Sequence, residues 1–133
     1  MSVGTHPIGA SYRVVIADDD VDIRELVEIA VARAGIELVA AAGDGKSALD
    51  AIRSHVPDLA ILDVAMPELS GLDVVRAMRT DDSLDGVRVL LLSASVDEAT
   101  KAVGISAGAD WYFPKPFSPR ELSAWLSIGR EEQ

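Results

Sequence analysis

The chain has 133 residues, of which 49% are hydrophobic, and this predicts one domain with enough apolar surface to form a core. It contains no cysteine, so thiolate catalysis, disulfides and cysteine-based metal sites are excluded. The formal net charge of −10 opposes direct binding to nucleic-acid phosphates or anionic lipid, and no apolar run is long enough to span a bilayer. We therefore expect a cytoplasmic protein that binds neither nucleic acid nor a membrane directly.

Both ends of the chain are predicted to lie outside the folded domain. Residues 1–11 contain glycine and serine and no apolar stretch of signal-peptide length, which predicts a disordered tail. The strand and helix patterns of a single domain cover residues 12–127, and residues 128–133 are interpreted as a C-terminal tail.

The first two strand–helix units follow from changes in hydrophobic period. β-Branched residues over Arg13–Ala17 predict a strand, and apolar spacing of three and four from Asp22 predicts a helix that ends at Gly35. The predicted buried face of that helix is Ile23, Leu26, Val27, Ala30, Val31 and Ala34. A second strand over Ile36–Ala41 and a second helix over Lys46–Ser54 follow. The residues that this second helix is predicted to bury are Ala48, Leu49 and Ile52.

The next two units contain the most apolar strand and the weakest helix. Leu59–Asp63 does not alternate, as expected for a central parallel strand covered by helices on both faces. A helix over Leu72–Arg79, a polar loop over Thr80–Gly86 and a strand over Val87–Leu92 follow. The third helix is predicted to bury Leu72, Val75 and Met78. A fourth helix over Asp97–Ala107 has a thin apolar face, so we expect it to be the least stable and the most able to shift. That face is Ala99, Ala102, Val103 and Ile105, with Gly104 inside.

The last unit completes a regular alternation. Ala109–Phe113 is predicted as a short strand, and Ser118, Pro119 and Glu121 form a helix-start signature. The predicted buried residues of the last helix are Leu122, Trp125 and Leu126. Five strand–helix units predict an α/β fold of the doubly wound, flavodoxin-like type, with a five-stranded parallel sheet and helices on both faces.

Four predicted strands end at residues that can handle a phosphoryl group or a cation. The apolar runs stop at Asp18–Asp20, at Asp63, at Ser93 and at Lys115. Because the carboxyl ends of parallel strands share one edge of the sheet, these groups are expected to meet where open α/β folds bind ligands. Carboxylates can hold Mg²⁺, a lone aspartate can act as a nucleophile, and a hydroxyl with an ammonium can stabilise a transferred group.

The acidic cluster after the first strand allows two interpretations. Asp18 and Asp19 can bind a cation, whereas Asp20 or Asp22 can cap the following helix and complement its dipole. Both interpretations can hold together. Asp63 gives a sharper signal, because an aspartate at the end of an apolar central strand carries a desolvation cost that a structural role rarely justifies.

Together these residues resemble the receiver domain of bacterial two-component response regulators. The matching stretches are Val14-Val-Ile-Ala-Asp18-Asp19-Asp20, Leu62-Asp63-Val-Ala-Met66-Pro67 with Gly71, Leu92-Ser93-Ala94 and Lys115-Pro116-Phe117. The resemblance covers about Tyr12 to Leu126, and four motifs in the right order make it specific.

The resemblance implies that Asp63 accepts a phosphoryl group from a phosphohistidine, while Lys115 and Ser93 bind the phosphoryl oxygens. It implies a bound Mg²⁺, with Mn²⁺ as the alternative ion. The implied metal ligands are the carboxylates of Asp18 (partly through water), Asp19 and Asp63 and the backbone carbonyl of Ala65. Such a chain catalyses only its own phosphorylation and dephosphorylation, so we do not expect an enzyme.

The resemblance also implies a conformational switch. Ser93 would move toward the phosphate and Tyr112 would turn inward, which remodels the surface of the fourth helix, last strand and last helix. From physics alone, the preferred interpretation of Tyr112 is an ordinary half-buried strand aromatic. The Lys115–Pro116 bond resembles the cis peptide of the family. Ser93 replaces the more frequent threonine, and the small Ala65 and Ser95 predict a phosphorylated state that is not strongly shielded from water.

The phosphoryl donor is expected to be another protein or a small phosphodonor, because His6 in the tail and His55 near a helix end both lie far from Asp63 in the predicted fold. The resemblance implies a sensor histidine kinase or a histidine phosphotransfer protein as that partner, and a downstream protein target. A phosphorylation-dependent dimer through the fourth helix, fifth strand and fifth helix is a further expectation. No residues follow the last helix for an output domain, so the sequence as given predicts a stand-alone receiver, with a fragment of a larger regulator as the alternative.

Two other functional classes fit part of the sequence. Asp18 and Asp20 after a strand also resemble the opening of haloacid-dehalogenase-type phosphohydrolases, in which Asp18 would be the nucleophile of an enzyme. That interpretation leaves Asp63 unexplained and lacks a later acidic pair at a strand end. A phosphate-independent protein-interaction module on the same fold is the second alternative.

Overall fold

The structure, a computed structural model, describes residues 12–95 and 97–131, with side chains as far as Ile128. The strands are β1 (Arg13–Ala17), β2 (Glu37–Ala42), β3 (Leu59–Asp63), β4 (Arg88–Ser93) and β5 (Trp111–Pro114). The helices are α1 (Val21–Arg33), α2 (Gly45–His55), α3 (Gly71–Arg79), α4 (Glu98–Ala107) and α5 (Pro119–Glu131). A short 3-10 turn, Asp82–Leu84, lies in the loop before β4, where the sequence predicted only polar loop.

The strands form one parallel sheet in the order β2-β1-β3-β4-β5, which confirms the predicted flavodoxin-like fold. β3 is central, pairs with β1 and β4, and is buried at all five positions, as its unbroken apolar pattern indicated. Asp63 pairs with Leu92, and Ser93 pairs with Pro114. The register therefore brings the ends of β3, β4 and β5 to one level at one edge of the sheet.

Two apolar layers cover the sheet, because successive strand residues point to opposite faces. One layer joins Val15, Ala60 and Leu91 to buried residues of α2 and α3 such as Ile52 and Met78. The other layer joins strand residues to α1 and α5. Its buried members include Val14, Ile16, Ile61, Leu90, Leu92, Val27, Val31, Leu122 and Leu126. Both faces are therefore covered, as the doubly wound architecture requires.

The start of α1 shows which acidic residue is the cap. The Asp20 carboxylate accepts hydrogen bonds from the backbone N–H groups of Asp22 and Ile23, at 2.9 and 3.3 Å. Asp22 lies in the first turn of the helix, where its charge complements the helix dipole. Asp20 is therefore the N-cap of α1, and the carboxylates of Asp18 and Asp19 do not cap this helix.

Element boundaries and burial differ from the sequence predictions in several places. Ile23 and Leu26 of α1, Leu72 of α3 and Trp125 of α5 are half-buried rather than buried, since they lie at the margins of their helix faces. α5 continues to Glu131, so part of the range 128–133 predicted as a tail is helical. The predicted tail at residues 1–11 lies outside the described residues. None of the helices in the described part of the chain has the length and hydrophobicity needed to cross a membrane.

α4 packs differently from its predicted apolar face. The four residues predicted to face inward, Ala99, Ala102, Val103 and Ile105, are all exposed, and Gly104 is the buried residue of this helix. The reason is the neighbouring β5, where the ring of Tyr112 occupies the space in which a Cβ of residue 104 would stand. The helix therefore contacts the sheet through its backbone at Gly104 rather than through a stripe of side chains.

Aromatic side chains join β5 to α5. Trp111 and Trp125 meet edge to face, with ring centroids 5.3 Å apart and an interplanar angle of 77°. Phe113 contacts Trp125 and Phe117 in similar edge-on geometry, at 6.1 and 6.0 Å. Such contacts add to the burial of apolar surface, so this cluster helps to fix α5 against the edge strand of the sheet.

Candidate functional site

The carboxyl ends of four strands open into one pocket of about 430 Å³. It is lined by Asp18, Asp19, Asp20, Asp63, Val64, Ala65, Ser93, Ala94, Ser95 and Lys115. The sequence predicted that the residues after β1, β3, β4 and β5 would meet, and the structure places them together here. Tyr112 lies outside the pocket, against α4.

The loop after β3 is positioned by close backbone contacts. The Gly71 N–H donates to the carbonyl of Val64 at 2.8 Å, and a Cβ at Gly71 would overlap the carbonyl oxygen of Asp63. On its outer side the loop lies against Gly45, where a Cβ would overlap the carbonyl of Leu69. Glycine at both positions therefore lets the loop fold back tightly beneath Asp63.

Lys115 connects the two buried carboxylates of the pocket. Its Nζ lies 2.9 Å from Asp18 Oδ2 and 3.1 Å from Asp63 Oδ1. The side chains of Asp18 and Asp63 are only 2% and 8% exposed, so these ion pairs are largely shielded from solvent. Burial alone would lower the pKa of Lys115, but its hydrogen bonds to Asp18 and Asp63 outweigh that effect and raise it. The ammonium is therefore a fixed positive charge within the pocket.

The backbone aims Lys115 into this position. The Lys115 N–H donates to the carbonyl of Ser93 at 2.9 Å, which continues the pairing of β4 with β5 past the end of the strands. The peptide bond between Lys115 and Pro116 is cis. The hydrogen bond to Ser93 fixes the direction of the chain as it leaves β5.

The surroundings of Asp63 disfavour the ionised form of its carboxyl. Burial raises its pKa from 3.8 to about 6; the hydrogen bond from Lys115 opposes this rise, and the neighbouring charge of Asp18 adds to it. Its Oδ1 also accepts a bond from the Ala65 N–H at 3.3 Å. The ionised carboxylate is therefore short of positive charge, and a further cation in the pocket would stabilise it.

Three carboxylates of the pocket fit a divalent metal ion. Oxygen atoms of Asp18, Asp19 and Asp63 lie within 4.8 Å of one another. Among the described residues that line the pocket, Lys115 is the cationic one, so one ammonium faces three carboxylates when all three are ionised. Mg²⁺ suits such a site, because it binds hard oxygen ligands and keeps several waters. The donor set, its charge and its partly open position next to the exposed Asp19 all agree with the predicted magnesium site.

Ser93 lies in the pocket wall, but its hydroxyl is bonded to its own loop. The hydroxyl donates to the carbonyl of Ser95 at 2.7 Å and accepts from the Ser95 N–H at 3.1 Å. The residue is 5% exposed. A ligand in the pocket would therefore have to compete with Ser95 for the Ser93 proton.

Tyr112 is a half-buried residue whose hydroxyl donates to the carbonyl of Thr100 in α4 at 3.0 Å. Burial raises its pKa above the usual value. This position agrees with the first interpretation of Tyr112, an ordinary half-buried aromatic residue of a strand. It also agrees with the second, because the ring lies next to α4, the helix that the predicted switch would move. His55 is exposed at the end of α2, and His6 lies outside the described residues.

Arg24 is a residue near the site that the sequence analysis missed. Its guanidinium donates to the carbonyl of Asp18 at 2.8 Å and so braces the end of β1 from the first turns of α1. An arginine one turn after the Asp20 cap was a weak signal, because a long polar side chain is common in the first turns of a helix, whether or not it contacts a neighbouring strand.

The chain is similar to known signalling proteins. Residues 14–127 match the family model of the response regulator receiver domain. The curated "DNA-binding response regulator MtrA" of Mycolicibacterium paratuberculosis is 39% identical over 112 residues, which is 84% of this chain and 48% of that protein. The chain thus spans about half the length of the curated relatives it matches.

Solved structures agree with the sequence match. The chemotaxis response regulator CheY4 of Vibrio cholerae is 31% identical, with a TM-score of 0.82 over 90% of this chain and 98% of that chain. The signal receiver domain of the putative response regulator NarL from Mycobacterium tuberculosis is also 31% identical, with a TM-score of 0.82 over 92% of this chain and 98% of that chain.

Proposed function

The chain belongs to the family of response regulator receiver domains, and on that premise we propose that Asp63 accepts a phosphoryl group from a phosphohistidine of another protein. The observation that carries this proposal is the contact of 3.1 Å between Lys115 Nζ and Asp63 Oδ1 inside a pocket built from four strand ends. It supplies an aspartate next to a fixed cation, at the edge where this fold binds ligands.

The chemistry uses the two oxygens of Asp63 differently. Oδ1 is held by Lys115 and by the Ala65 N–H, which leaves Oδ2 to attack phosphorus. The new O–P bond forms as the P–N bond to the donor imidazole breaks, and the imidazole nitrogen keeps the electron pair of that bond and takes a proton from solvent. Lys115 and the Ser93 hydroxyl would bind the phosphoryl oxygens as the group transfers.

A divalent cation completes this arrangement. The carboxylates of Asp18, Asp19 and Asp63 and the backbone carbonyl of Ala65 would hold Mg²⁺, with Mn²⁺ as the alternative. When bound, the ion withdraws charge from the phosphoryl oxygens and keeps Asp63 ionised. Family membership leaves the dehalogenase-type alternative, with Asp18 as nucleophile, without support, because that alternative gives Asp63 no role.

The proposed partners follow from the same chemistry. The donor is a sensor histidine kinase or a histidine phosphotransfer protein, which would dock beside the pocket on the side of α1. The output is a downstream protein target or a phosphorylation-dependent dimer through α4, β5 and α5, after Ser93 and Tyr112 change position. We assign the domain to residues 12–127 and propose that the protein is cytoplasmic. Direct binding of DNA is not proposed for this domain, because its net charge is strongly negative. The phosphoprotein is not strongly shielded from water, since Ala65 and Ser95 are small.

The decisive experiment is intact mass after treatment with a small phosphodonor and Mg²⁺. Wild type should gain one phosphate that hydroxylamine removes, as expected for an acyl phosphate, and Asp63→Asn should gain none. Asp50→Asn, which makes the same change on the exposed side of α2, is the matched control and should behave like wild type. Phosphorylation that persists in Asp63→Asn would refute the proposal. A wild type that takes no phosphate would favour the phosphate-independent interaction module.

A further inference from the structure

A run of hydrogen bonds connects the pocket to the surface of α4. The Ser93 hydroxyl donates to the carbonyl of Ser95 at 2.7 Å, and the Ser95 hydroxyl donates to Asp97 Oδ2 at 2.8 Å. The Thr100 hydroxyl donates to the same Asp97 oxygen at 3.2 Å, and the Thr100 carbonyl accepts from the Tyr112 hydroxyl at 3.0 Å. Ser93 in the pocket wall and Tyr112 on β5 therefore belong to one connected set.

Asp97 is the centre of this set, and its two oxygens have separate roles. Oδ1 accepts the Thr100 N–H at 2.9 Å, which is the N-cap bond of α4. Oδ2 accepts both hydroxyls, from Ser95 and Thr100, and so joins the loop after β4 to the first turn of the helix. These hydrogen bonds lower the pKa of Asp97, so the carboxylate is ionised and can accept all of them.

The far end of the set is fixed by packing. A Cβ at Gly104 would overlap the ring of Tyr112, so the ring and the α4 backbone are in direct contact. The hydroxyl bond to Thr100 holds the same ring one turn earlier in the helix. A displacement of Tyr112 or of α4 would therefore disturb both of these contacts.

The near end of the set restrains Ser93. A serine hydroxyl has one proton, which here is donated to the carbonyl of Ser95. Donation to a phosphoryl oxygen in the pocket must break that bond, so any feature that holds Ser95 in place opposes the recruitment of Ser93. The Ser95–Asp97 bond is such a feature.

We propose that Asp97 is a positioning residue that holds Ser93 in its loop-bonded state and couples the release of Ser93 to movement of α4 and Tyr112. This inference rests on the proposed role of Asp63 as phosphoacceptor. Asp97 touches neither the phosphoryl group nor the metal ligands; it acts through Ser95 on one side and Thr100 on the other.

The test uses a change that separates the two oxygens of Asp97. Asp97→Asn keeps an oxygen for the N-cap, where asparagine is as good as aspartate, and replaces the second oxygen with an NH₂ donor. Loss of about one net hydrogen bond should raise the rate of phosphorylation by a small phosphodonor and Mg²⁺ about fivefold. The effect should vanish in the Ser93→Ala background, because no hydroxyl is left to release.

The matched control is Asp44→Asn at the N-cap of α2. Asp44 accepts the Ser47 N–H at 2.7 Å and the Ser47 hydroxyl at 3.0 Å, which repeats the two bonds of Asp97 to Thr100; these bonds stay within its own helix and do not involve a residue that lines the pocket. This variant should leave the phosphorylation rate unchanged. A general effect of losing a capping charge would appear in both variants alike and would overturn the inference.

A second readout needs no phosphate. The chain has two tyrosines, so fluorotyrosine labelling gives two ¹⁹F resonances, which Tyr12→Phe assigns. Asp97→Asn should shift the Tyr112 resonance in the phosphate-free protein, and Asp44→Asn should not. A Tyr112 resonance that does not shift, or a rate increase that persists in the Ser93→Ala background, would refute the role of Asp97 but not that of Asp63. A wild type that takes no phosphate would refute both the proposed function of Asp63 and the proposed restraint on Ser93.

Discussion

The electrostatics of Asp63 predict how the metal-free protein responds to pH. Burial raises the pKa of this carboxyl from 3.8 to about 6, against the hydrogen bond from Lys115. A carboxyl with a higher pKa in the folded state binds more protons there than in the unfolded chain. The contribution of Asp63 to the free energy of unfolding therefore falls as the pH rises from below 4 to above 6, and this contribution is constant beyond that range.

The size of the effect follows from the two pKa values. One pKa unit corresponds to about 1.4 kcal/mol, so complete ionisation costs about 3 kcal/mol of folding free energy. Roughly half of that cost is already present at pH 5, because the unfolded carboxyl is ionised there, which leaves about 1.4 kcal/mol between pH 5 and pH 8. Screening by solvent at the open side of the pocket reduces the expected change to about 1 kcal/mol.

The assay is urea unfolding in EDTA at pH 5 and pH 8, with wild type and Asp63→Asn compared at each pH. The difference in unfolding free energy should move by about 1 kcal/mol in favour of the asparagine variant as the pH rises. Asp50→Asn on the exposed side of α2 should show no such movement. If the difference between wild type and Asp63→Asn is the same at both pH values, burial does not disfavour the charge of Asp63, and the electrostatic argument for a cation in the pocket is wrong.

Three further changes test the site and its support. Lys115→Met removes the ammonium between two buried carboxylates and should lower the free energy of unfolding in urea by about 3 kcal/mol without metal. Mg²⁺ should then stabilise the variant more than it stabilises wild type, and an equal stabilisation of both proteins would contradict this. Gly71→Ala places a Cβ on the carbonyl of Asp63, so it should lower the free energy of unfolding by about 2–4 kcal/mol and slow phosphorylation. Unchanged stability and rate would mean that the loop can move away from the added methyl group. Val56→Asn replaces a β-branched residue that is 47% exposed and has a φ of 41°. It should stabilise the protein by about 0.5–1 kcal/mol in thermal unfolding, since the relief of left-handed backbone strain exceeds the loss of buried apolar surface. An unchanged Tm would contradict this expectation.

The sheet and the pocket could be predicted from the sequence because their signals are local and strong. An apolar run without alternation identified β3 as central, and parallel pairing then placed Asp63 beside the ends of β1, β4 and β5. The acidic residues, Ser93 and Lys115 each follow an apolar run directly, so one assumption about topology gathers all of them.

The orientation of α4 could not be predicted in the same way. Periodicity favoured a face of alanine, valine and isoleucine, but the helix rests on Gly104 because a tyrosine from a distant strand occupies that space. The bond between the Ser93 hydroxyl and its own loop was equally hidden, since a serine at a strand end can donate in several directions. Contacts of this kind depend on tertiary placement, which no single stretch of sequence encodes.

The edge-to-face pair of Trp111 and Trp125 gives the protein an internal optical probe. These are the two tryptophans of the chain, so all indole emission originates between β5 and α5. At a centroid distance of 5.3 Å the transition dipoles of the two indoles are close enough to couple, so we expect an exciton couplet in circular dichroism. The couplet reports whether α5 remains docked on the sheet edge, and because neither indole lines the pocket, it can be read without label while metal or phosphodonor is added.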